Sequence, residues 1–209
     1  MRKLLNFLVY SNLYLAFGAG IVALATAFLL GKPMNWIYVF IPFSASFLIY
    51  NYNRTTDSKE DMVNVPERTI FVERFGKKIL TVAFFLYIIS IGLALQRNIY
   101  TLLITLIPVF CAFMYSYSRL KRFFMVKNLM VSVSWGFSVL LVAAFFEFLD
   151  PILWLVYVFF FLQFLINVVI FDIKDIRGDY LYKIKTLPAG FGIKNTKKFC
   201  FLILFVLLM

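Results

Sequence analysis

Three oxygen-bearing side chains recur at intervals of four residues in a polar stretch that follows an apolar segment. They are Asn53, Asp57 and Asp61. In a helix, positions i, i+4 and i+8 fall within about 80° of one another, so all three would share one face. Asp57 and Asp61 would repel each other in that stack, and a bound divalent cation would turn the repulsion into attraction. The stretch therefore indicates carboxylate and metal chemistry.

A second acidic segment lies far downstream and also follows an apolar run. Asp172, Asp175 and Asp179 share a face if that run continues outward as a helix. Facing each other, the two segments would form a site for about two Mg²⁺ ions, which prefer carboxylate oxygens and bridge to substrate phosphates. Each acid alone is typical of a solvated loop, whereas the spacing and placement of the set favour a shared site.

The composition indicates an integral membrane protein. Hydrophobic residues make up 63% of the 209 residues and charged residues 15%, well outside the usual range of soluble domains. The chain has no histidine, which excludes histidine-based metal sites and catalytic triads. Its two cysteines, Cys111 and Cys200, lie in apolar segments and are expected to be small buried groups without a disulfide.

The apolar segments predict an all-α, polytopic transmembrane helix bundle with six full spans and a partial seventh, in one domain over residues 1–209. The final run, Phe199–Met209, would cross only about half of a bilayer core. We therefore expect either a fragment or a segment that lies on or re-enters the membrane. The predicted full spans are Leu8–Leu30, Trp36–Tyr52, Ile79–Leu95, Ile99–Tyr117, Leu129–Leu149 and Ile152–Phe171.

The basic residues predict the orientation of the chain. Among the 21 Lys and Arg residues, all but Lys32 and Arg97 fall before the first span or in alternate connections. The positive-inside rule then places the amino terminus and the two motif loops, 52–78 and 172–198, in the cytoplasm, and we expect a bacterial inner membrane. Topology and contact with anionic lipid explain the basic excess without nucleic acid.

The paired motifs resemble those of the UbiA superfamily of intramembrane prenyltransferases. Asn53-x3-Asp57-x3-Asp61 follows the second span and Asp172-x2-Asp175-x3-Asp179 follows the sixth. The run from Tyr115 to Leu129 and the segment 184–188 are also similar to that family. The match covers essentially the whole chain, and it implies a nine-helix all-α fold around a central cavity, of which this chain would supply six helices and part of a seventh.

The resemblance also implies a role for each polar residue of the motifs. Arg54 departs from the family pattern, in which many members carry a further acid beside the asparagine, and Pro66-Glu67-Arg68 stands where many carry an Arg-Pro pair. The implied catalytic residues are Asp57, Asp61, Asp175 and Asp179. The implied Mg²⁺ ligands are Asn53, Asp57, Asp61, Asp172, Asp175 and Asp179. The implied substrate-binding residues are Asn53, Arg68, Lys121 and Lys185.

By this resemblance the chain would transfer a prenyl group from a polyprenyl diphosphate donor to an aromatic or other lipophilic acceptor. Mg²⁺ and Lys or Arg would stabilise the departing diphosphate. Aromatic residues, 20% of the chain, can offer ring faces to an allylic cation. The implied partners are the donor, the acceptor and membrane lipid. Similar proteins use aromatic acids, quinone precursors, haem or chlorin groups and glycerophosphate lipids as acceptors.

Other functions compete with prenyl transfer. A divalent-cation transporter would place ionisable groups at the bilayer midplane, whereas the span interiors offer only the neutral Gln163 and Asn167. A phospholipid-type alcohol phosphotransferase would crowd its aspartates into one stretch. A non-catalytic membrane protein, or a fragment without activity, stays open as an alternative.

Overall fold

The computed structural model describes residues 2–117 and 123–208, apart from the side chains of Arg2 and residues 58–60. Within these ranges every regular element is an α-helix. The helices are α1 (Arg2–Tyr10), α2 (Leu13–Leu29), α3 (Trp36–Thr56), α4 (Ser58–Asn64), α5 (Pro66–Arg97), α6 (Ile99–Tyr117), α7 (Val126–Phe146), α8 (Pro151–Leu181) and α9 (Leu187–Leu208).

Four of the described helices, α5 to α8, are long and apolar enough to cross a membrane, and α1 with α2 forms a fifth candidate as a bent pair. The predicted all-α membrane bundle is therefore confirmed. Helix α3, predicted as a full span, lies at the centre and packs against α2, α5, α6 and α7. Helix α3 contains polar as well as apolar residues. The polar side chains of Ser44 and Asn51 are buried inside the bundle, which is consistent with the central position of α3.

The first predicted span, Leu8–Leu30, is broken rather than continuous. Helices α1 and α2 meet at Ser11–Asn12 with a bend of 68°. Asn12 adopts a left-handed conformation with φ of 61°, and its side-chain amide donates to Asn51 Oδ1 at 3.2 Å. The Asn51 amide in turn donates to the Ser11 carbonyl at 3.1 Å. The polar groups freed by the break are thus satisfied by α3, which stabilises the bend.

Helices α5 and α8 are longer than a bilayer core requires. They contain 32 and 31 residues, about 47 Å at 1.5 Å per residue, against a core of about 30 Å. Their apolar parts match the predicted spans Ile79–Leu95 and Ile152–Phe171, so their charged ends, 66–78 and 172–181, extend beyond the apolar region. Both motif loops are therefore largely helical, and the predicted outward continuation of the sixth span is confirmed.

Helices α7 and α8 pack closely against each other. Trp135 stacks on Phe164 with ring centroids 4.0 Å apart. One residue later, the Tyr157 ring covers Gly136 so closely that a Cβ atom there would overlap it. The absence of a side chain at Gly136 therefore sets the separation of α7 and α8.

Helix α9 extends the last predicted run toward its amino-terminal side. It begins at Leu187 rather than Phe199 and contains a break at Gly192, where φ is 76°. Cys200 and Ile203 are buried against α8. Cys111 and Cys200 are both free thiols; Cys200 is buried, as predicted, whereas Cys111 is only partly buried.

We expect Gly136→Ala to destabilise the α7–α8 pair by about 1–3 kcal/mol, the usual cost of overpacking a tight contact. Gly92→Ala is the matched control, because no atom lies within 4 Å of a Cβ built there and alanine favours a helix. Thermal unfolding in detergent should give a lower midpoint for Gly136→Ala alone. Equal midpoints for the two variants would contradict the packing argument.

Candidate active site

The first motif spans the junction of α3 and α4. Helix α3 ends at Thr56, and Asp57, with φ of −102° and ψ of 15°, joins it to α4. The Asp57 amide donates to the Asn53 carbonyl at 2.9 Å, and the Asp61 amide donates to the Asp57 carbonyl at 3.0 Å. Backbone hydrogen bonds between residues four apart therefore link Asn53 to Asp57 and Asp57 to Asp61, although the helix itself is interrupted at Asp57.

Asn53 lies at the mouth of an apolar cavity of about 70 Å³ between α3, α6 and α7. Its Oδ1 accepts a hydrogen bond from the Ser116 hydroxyl at 2.8 Å. The cavity follows α3 from Asn53 to Ile41, about 18 Å at 1.5 Å per residue. Trp135 and Tyr50 line it, with the Trp135 indole N–H donating to the Tyr50 hydroxyl at 2.8 Å. The first motif therefore opens onto an elongated apolar space.

Asp61 is held by two arginines. Arg54 Nη1 donates to both carboxylate oxygens, at 3.2 Å and 3.0 Å, and Arg68 Nη2 donates to Oδ1 at 2.7 Å. The Asp61 side chain is only 12% exposed. Burial and the Arg54 charge lower the pKa of Arg68, whereas Asp61 and Asp175 raise it. Asp61 thus acts as the shared counter-ion of two guanidinium groups.

Asp172 is the most buried acid of the second motif, at 1% exposed. Its Oδ1 accepts from the Lys127 ammonium at 2.7 Å, and its Oδ2 accepts from the Asn128 amide at 2.6 Å. Both partners come from the first turn of α7. Burial lowers the pKa of Lys127, but Asp172 and Asp179 outweigh it and raise the pKa overall. Lys127 and Asp172 therefore tie the start of α7 to the outer end of α8.

Asp179 lies two turns further out on α8, beside the turn that leads into α9. The Thr186 hydroxyl donates to Asp179 Oδ2 at 3.1 Å, and Lys127 lies 3.9 Å from Oδ1. Burial raises the pKa of the Asp179 carboxyl to about 6, although the Lys127 charge lowers it. The same turn carries Lys185, the residue before Thr186, and the Lys185 side chain is exposed. Asp179 is thus a partly compensated carboxylate that a further cation would stabilise.

A contact between α4 and α8 brings the two motifs together. The Gly178 amide donates to Asn64 Oδ1 at 3.0 Å, and the Asn64 side chain occupies the space that a Cβ at Gly178 would need. The Asp175 charge acts on both Arg68 and Lys127. The outer ends of α3, α4, α5, α7 and α8 therefore form one polar region next to the cavity mouth.

The donor chemistry of this region fits a divalent cation, although the described carboxylates do not form a ready-made cage. Among the described side chains, which exclude those of residues 58–60 and all of 118–122, no three acidic or thiol groups lie closely enough together to hold a metal ion. Mg²⁺ is usually held by one or two carboxylates together with waters and substrate phosphates. Asp175 and Asp179 are carboxylates of that kind, since no arginine among the described residues holds either of them in a bidentate pair.

The structure brings most of the predicted site residues to this region. Lys121 lies outside the described residues. The roles of the other residues as ligands or catalytic groups stay predictions. Sequence reasoning missed Lys127, Asn64 and the role of Arg54 as a partner of Asp61. A lysine at the start of a span is typical of the positive-inside pattern, so its pairing with an acid far downstream carries no signal in the sequence.

Residues 13–209 match the model of the UbiA prenyltransferase family. The chain belongs to that family. A digeranylgeranylglyceryl phosphate synthase of Methanopyrus kandleri is 31% identical over 137 residues, which cover 65% of this chain and 50% of the relative. Synthases of the same name from Sulfurisphaera tokodaii and Saccharolobus solfataricus are 28% and 31% identical over 77% of this chain. The matches cover 58% and 57% of those relatives, so this UbiA chain spans little more than half of their length.

A solved structure reported for digeranylgeranylglyceryl phosphate synthase in membranes has the same fold. The TM-score is 0.68, with 18% sequence identity, over 97% of this chain and 74% of the other. At that identity the likeness establishes the UbiA fold of the described helices and leaves the chemistry to the site itself.

We expect Gly178→Ala to loosen α4 from α8, because the added Cβ would overlap the Asn64 amide. Hydrogen exchange should show lower protection of α4, whereas Gly190→Ala, with no atom within 4 Å of its Cβ, should leave α4 unchanged. In an Asn64→Ala background the Gly178→Ala effect should largely disappear, since the overlapping side chain is gone. An undiminished effect in that background would argue against Asn64 as the contact.

We expect Lys127→Met to lower the free energy of unfolding by about 3 kcal/mol, because the buried Asp172 carboxylate loses its ion pair. The expected loss is at the lower end of the usual range for breaking a buried ion pair, since the Lys127 side chain is 26% exposed. Denaturant titration in detergent measures the change. The exposed Lys174→Met is the control, and a Lys127→Met/Asp172→Leu pair should recover most of the loss. A loss equal to that of the control would show that the pair contributes little.

Proposed function

We propose that this chain carries the donor site of a prenyltransferase, which moves a prenyl group from a polyprenyl diphosphate to a lipophilic acceptor. One observation carries the proposal: the Asn64–Gly178 contact joins two aspartate motifs from distant parts of the chain, and Asn53 of the first motif lines an apolar cavity. Such an arrangement suits a substrate with a highly charged head and a long apolar tail. The printed names of the relatives favour a glycerophosphate lipid as the acceptor.

The cavity is the proposed contact for the head end of the isoprenoid tail, since its volume of about 70 Å³ is too small for a whole polyprenyl chain. Its walls are mainly apolar side chains of α3, α6 and α7, and Asn53 with Tyr115 stands at its polar end. A tail lying along α3 would place the diphosphate beside the two motifs. The Trp135 and Tyr50 rings line the same space, and aromatic faces stabilise a nearby carbocation.

The acids of the motifs support a divalent-cation requirement, with Mg²⁺ as the expected ion. Asp57, Asp175 and Asp179 would hold it, and Asn53, Asp61 and Asp172 remain candidate ligands from the family resemblance. When bound, Mg²⁺ would supply positive charge to the leaving diphosphate. Lys127 keeps the α8 carboxylates in place, and Lys185 lies in the turn beside Asp179, where a diphosphate oxygen would be within its reach.

In the proposed reaction, the bond between C1 of the prenyl chain and the diphosphate oxygen breaks, and the electron pair leaves with the diphosphate. An acceptor hydroxyl oxygen forms the new bond to C1 and releases its proton. The products are the prenyl ether, inorganic diphosphate and one proton. The charged residues at the cavity mouth would stabilise the leaving group, while the apolar walls would keep water away from the allylic carbon.

The proposed placement in the membrane rests on the apolar helices and on the distribution of basic residues. The apolar helices support an integral membrane protein, and we propose that the motif end faces the cytoplasm because the basic residues concentrate there. The relatives are archaeal, so they lend no support to the expected bacterial inner membrane.

We expect Asp175→Asn and Asp57→Asn each to lower prenyl transfer by about 10²-fold or more, the size of effect seen when a group that stabilises developing charge is removed. The assay uses purified membranes, radiolabelled prenyl diphosphates of several lengths, Mg²⁺ and a panel of acceptors that includes glycerophosphate lipids. Asp150→Asn is the matched control, because Asp150 caps the opposite end of α8 and asparagine caps equally well.

Transfer that stays at the wild-type rate in both motif variants would overturn the proposed site. Donor binding can be followed separately, by Mg²⁺-dependent retention of a labelled diphosphate. This second readout applies even if the acceptor panel lacks the right compound.

A further inference from the structure

At the first motif two arginine side chains contact one aspartate, and these three side chains together carry a net charge of +1. Arg54 and Arg68 both contact Asp61, so two guanidinium groups share one carboxylate. Arg54 and Asp61 are seven residues apart and meet across the junction of α3 and α4, with Arg54 Nη1 3.0 Å from Asp61 Oδ2. Arg54 and Arg68, with Asp61 between them, are here termed the arginine pair.

The arginine pair has hydrogen-bond donors left over. Arg54 reaches Asp61 through Nη1 and Arg68 through Nη2. The Nε atoms of both arginines are buried and have no hydrogen-bond partner among the described residues. A buried donor without a partner is unfavourable, and a guanidinium offers its donors in a planar fork that matches phosphate oxygens. The cluster thus has both the charge and the unused donors of an anion site.

The opposite half of the region has the reverse charge. On α8, Asp172, Asp175 and Asp179 act on the ammonium of Lys127, and Asp175 also acts on Arg68. A divalent cation suits this acidic half, whereas a metal ion next to two guanidinium groups would be repelled. The two halves of the site are therefore electrostatically different, although both motifs contain aspartates.

We propose that the arginine pair binds a phosphate group directly, without a metal ion, as an anion subsite beside a metal-dependent site on α8. This inference rests on the proposed function for the identity of the ligands, which are the diphosphate of the donor or the phosphate of a glycerophosphate acceptor. Arg54 is the distinguishing residue, since an acid at that position would remove one guanidinium and add a carboxylate. In this inference Asp61 orients the two arginines, in place of the Mg²⁺ ligand role that the family resemblance implies for it.

The test is isothermal titration calorimetry of the purified chain in detergent with EDTA present. Inorganic diphosphate and glycerol 3-phosphate are the two probes, used separately. We expect at least one probe to bind, and Arg54→Gln to weaken that binding by tenfold or more. Arg54→Lys should weaken it less, because the charge stays while the fork is lost. The exposed Arg74→Gln is the matched control and should bind like the wild type.

A second titration, with Mg²⁺ alone, separates the two halves. We expect Asp175→Asn to weaken Mg²⁺ binding and Arg54→Gln to leave it unchanged or strengthen it. In the titrations with EDTA, binding of diphosphate but not of glycerol 3-phosphate would assign the subsite to the donor. The reverse result would assign it to the acceptor. Both results support the inference.

Three results would overturn the inference. They are no binding of either probe in EDTA, wild-type affinity in a folded Arg54→Gln variant, and binding that requires Mg²⁺. Thermal midpoints of Arg54→Gln and Arg68→Gln show whether each variant is folded. Because the titrations need no turnover, they stand apart from the transfer assay: failure of transfer would count against the proposed function, and failure of probe binding against the arginine pair.

Discussion

Compensation of buried carboxylates is the constraint on which the structure of this region depends. An ionised carboxylate at the end of an apolar bundle is unfavourable unless a cation or several hydrogen bonds accompany it. Asp172 obtains both from the first turn of α7, and Asp61 obtains two guanidinium groups from α3 and α5. Lys127 and Asp172 are 45 residues apart, whereas Arg54 and Arg68 each lie seven residues from Asp61 and belong to the helices on either side of α4. The need to neutralise these acids therefore determines which helix ends can lie together.

The helix lengths allow this assembly without disturbing the apolar part of the bundle. Helices α5 and α8 extend beyond the bilayer core, so their charged ends can meet outside it. The bend between α1 and α2 and the short α4 turn the chain around this polar region, where Asn64 fits against Gly178. The apolar cavity ends at the same place, beside Asn53. Charged head groups and apolar tails thus have adjoining environments.

The polar region combines the architecture of a family with a charge distribution in which two arginines share Asp61. Its fold and family are those of UbiA proteins. Arg54, however, changes the character of the first motif, because Asp61 becomes a counter-ion of arginine rather than an open carboxylate. Asp175 lies between the two halves and acts on the charges of both Arg68 and Lys127. A metal and a phosphate group would therefore be attracted to different sides of one site.

The sequence alone determined the membrane class, the helical architecture, the family and the two aspartate motifs, because composition and four-residue spacing are local properties that hydropathy and helix geometry make readable. It predicted a single helix over Leu8–Leu30, whereas hydrogen bonds between Asn51 of α3 and both Asn12 and Ser11 favour a break.

Only the tertiary structure decided which cation compensates each acid. Arg54 is near Asp61 in sequence, but Lys127 and Asp172 meet only when α7 packs on α8. Long-range pairs of this kind depend on helix packing at positions such as Gly136 and Gly178, where the absence of a side chain permits close approach.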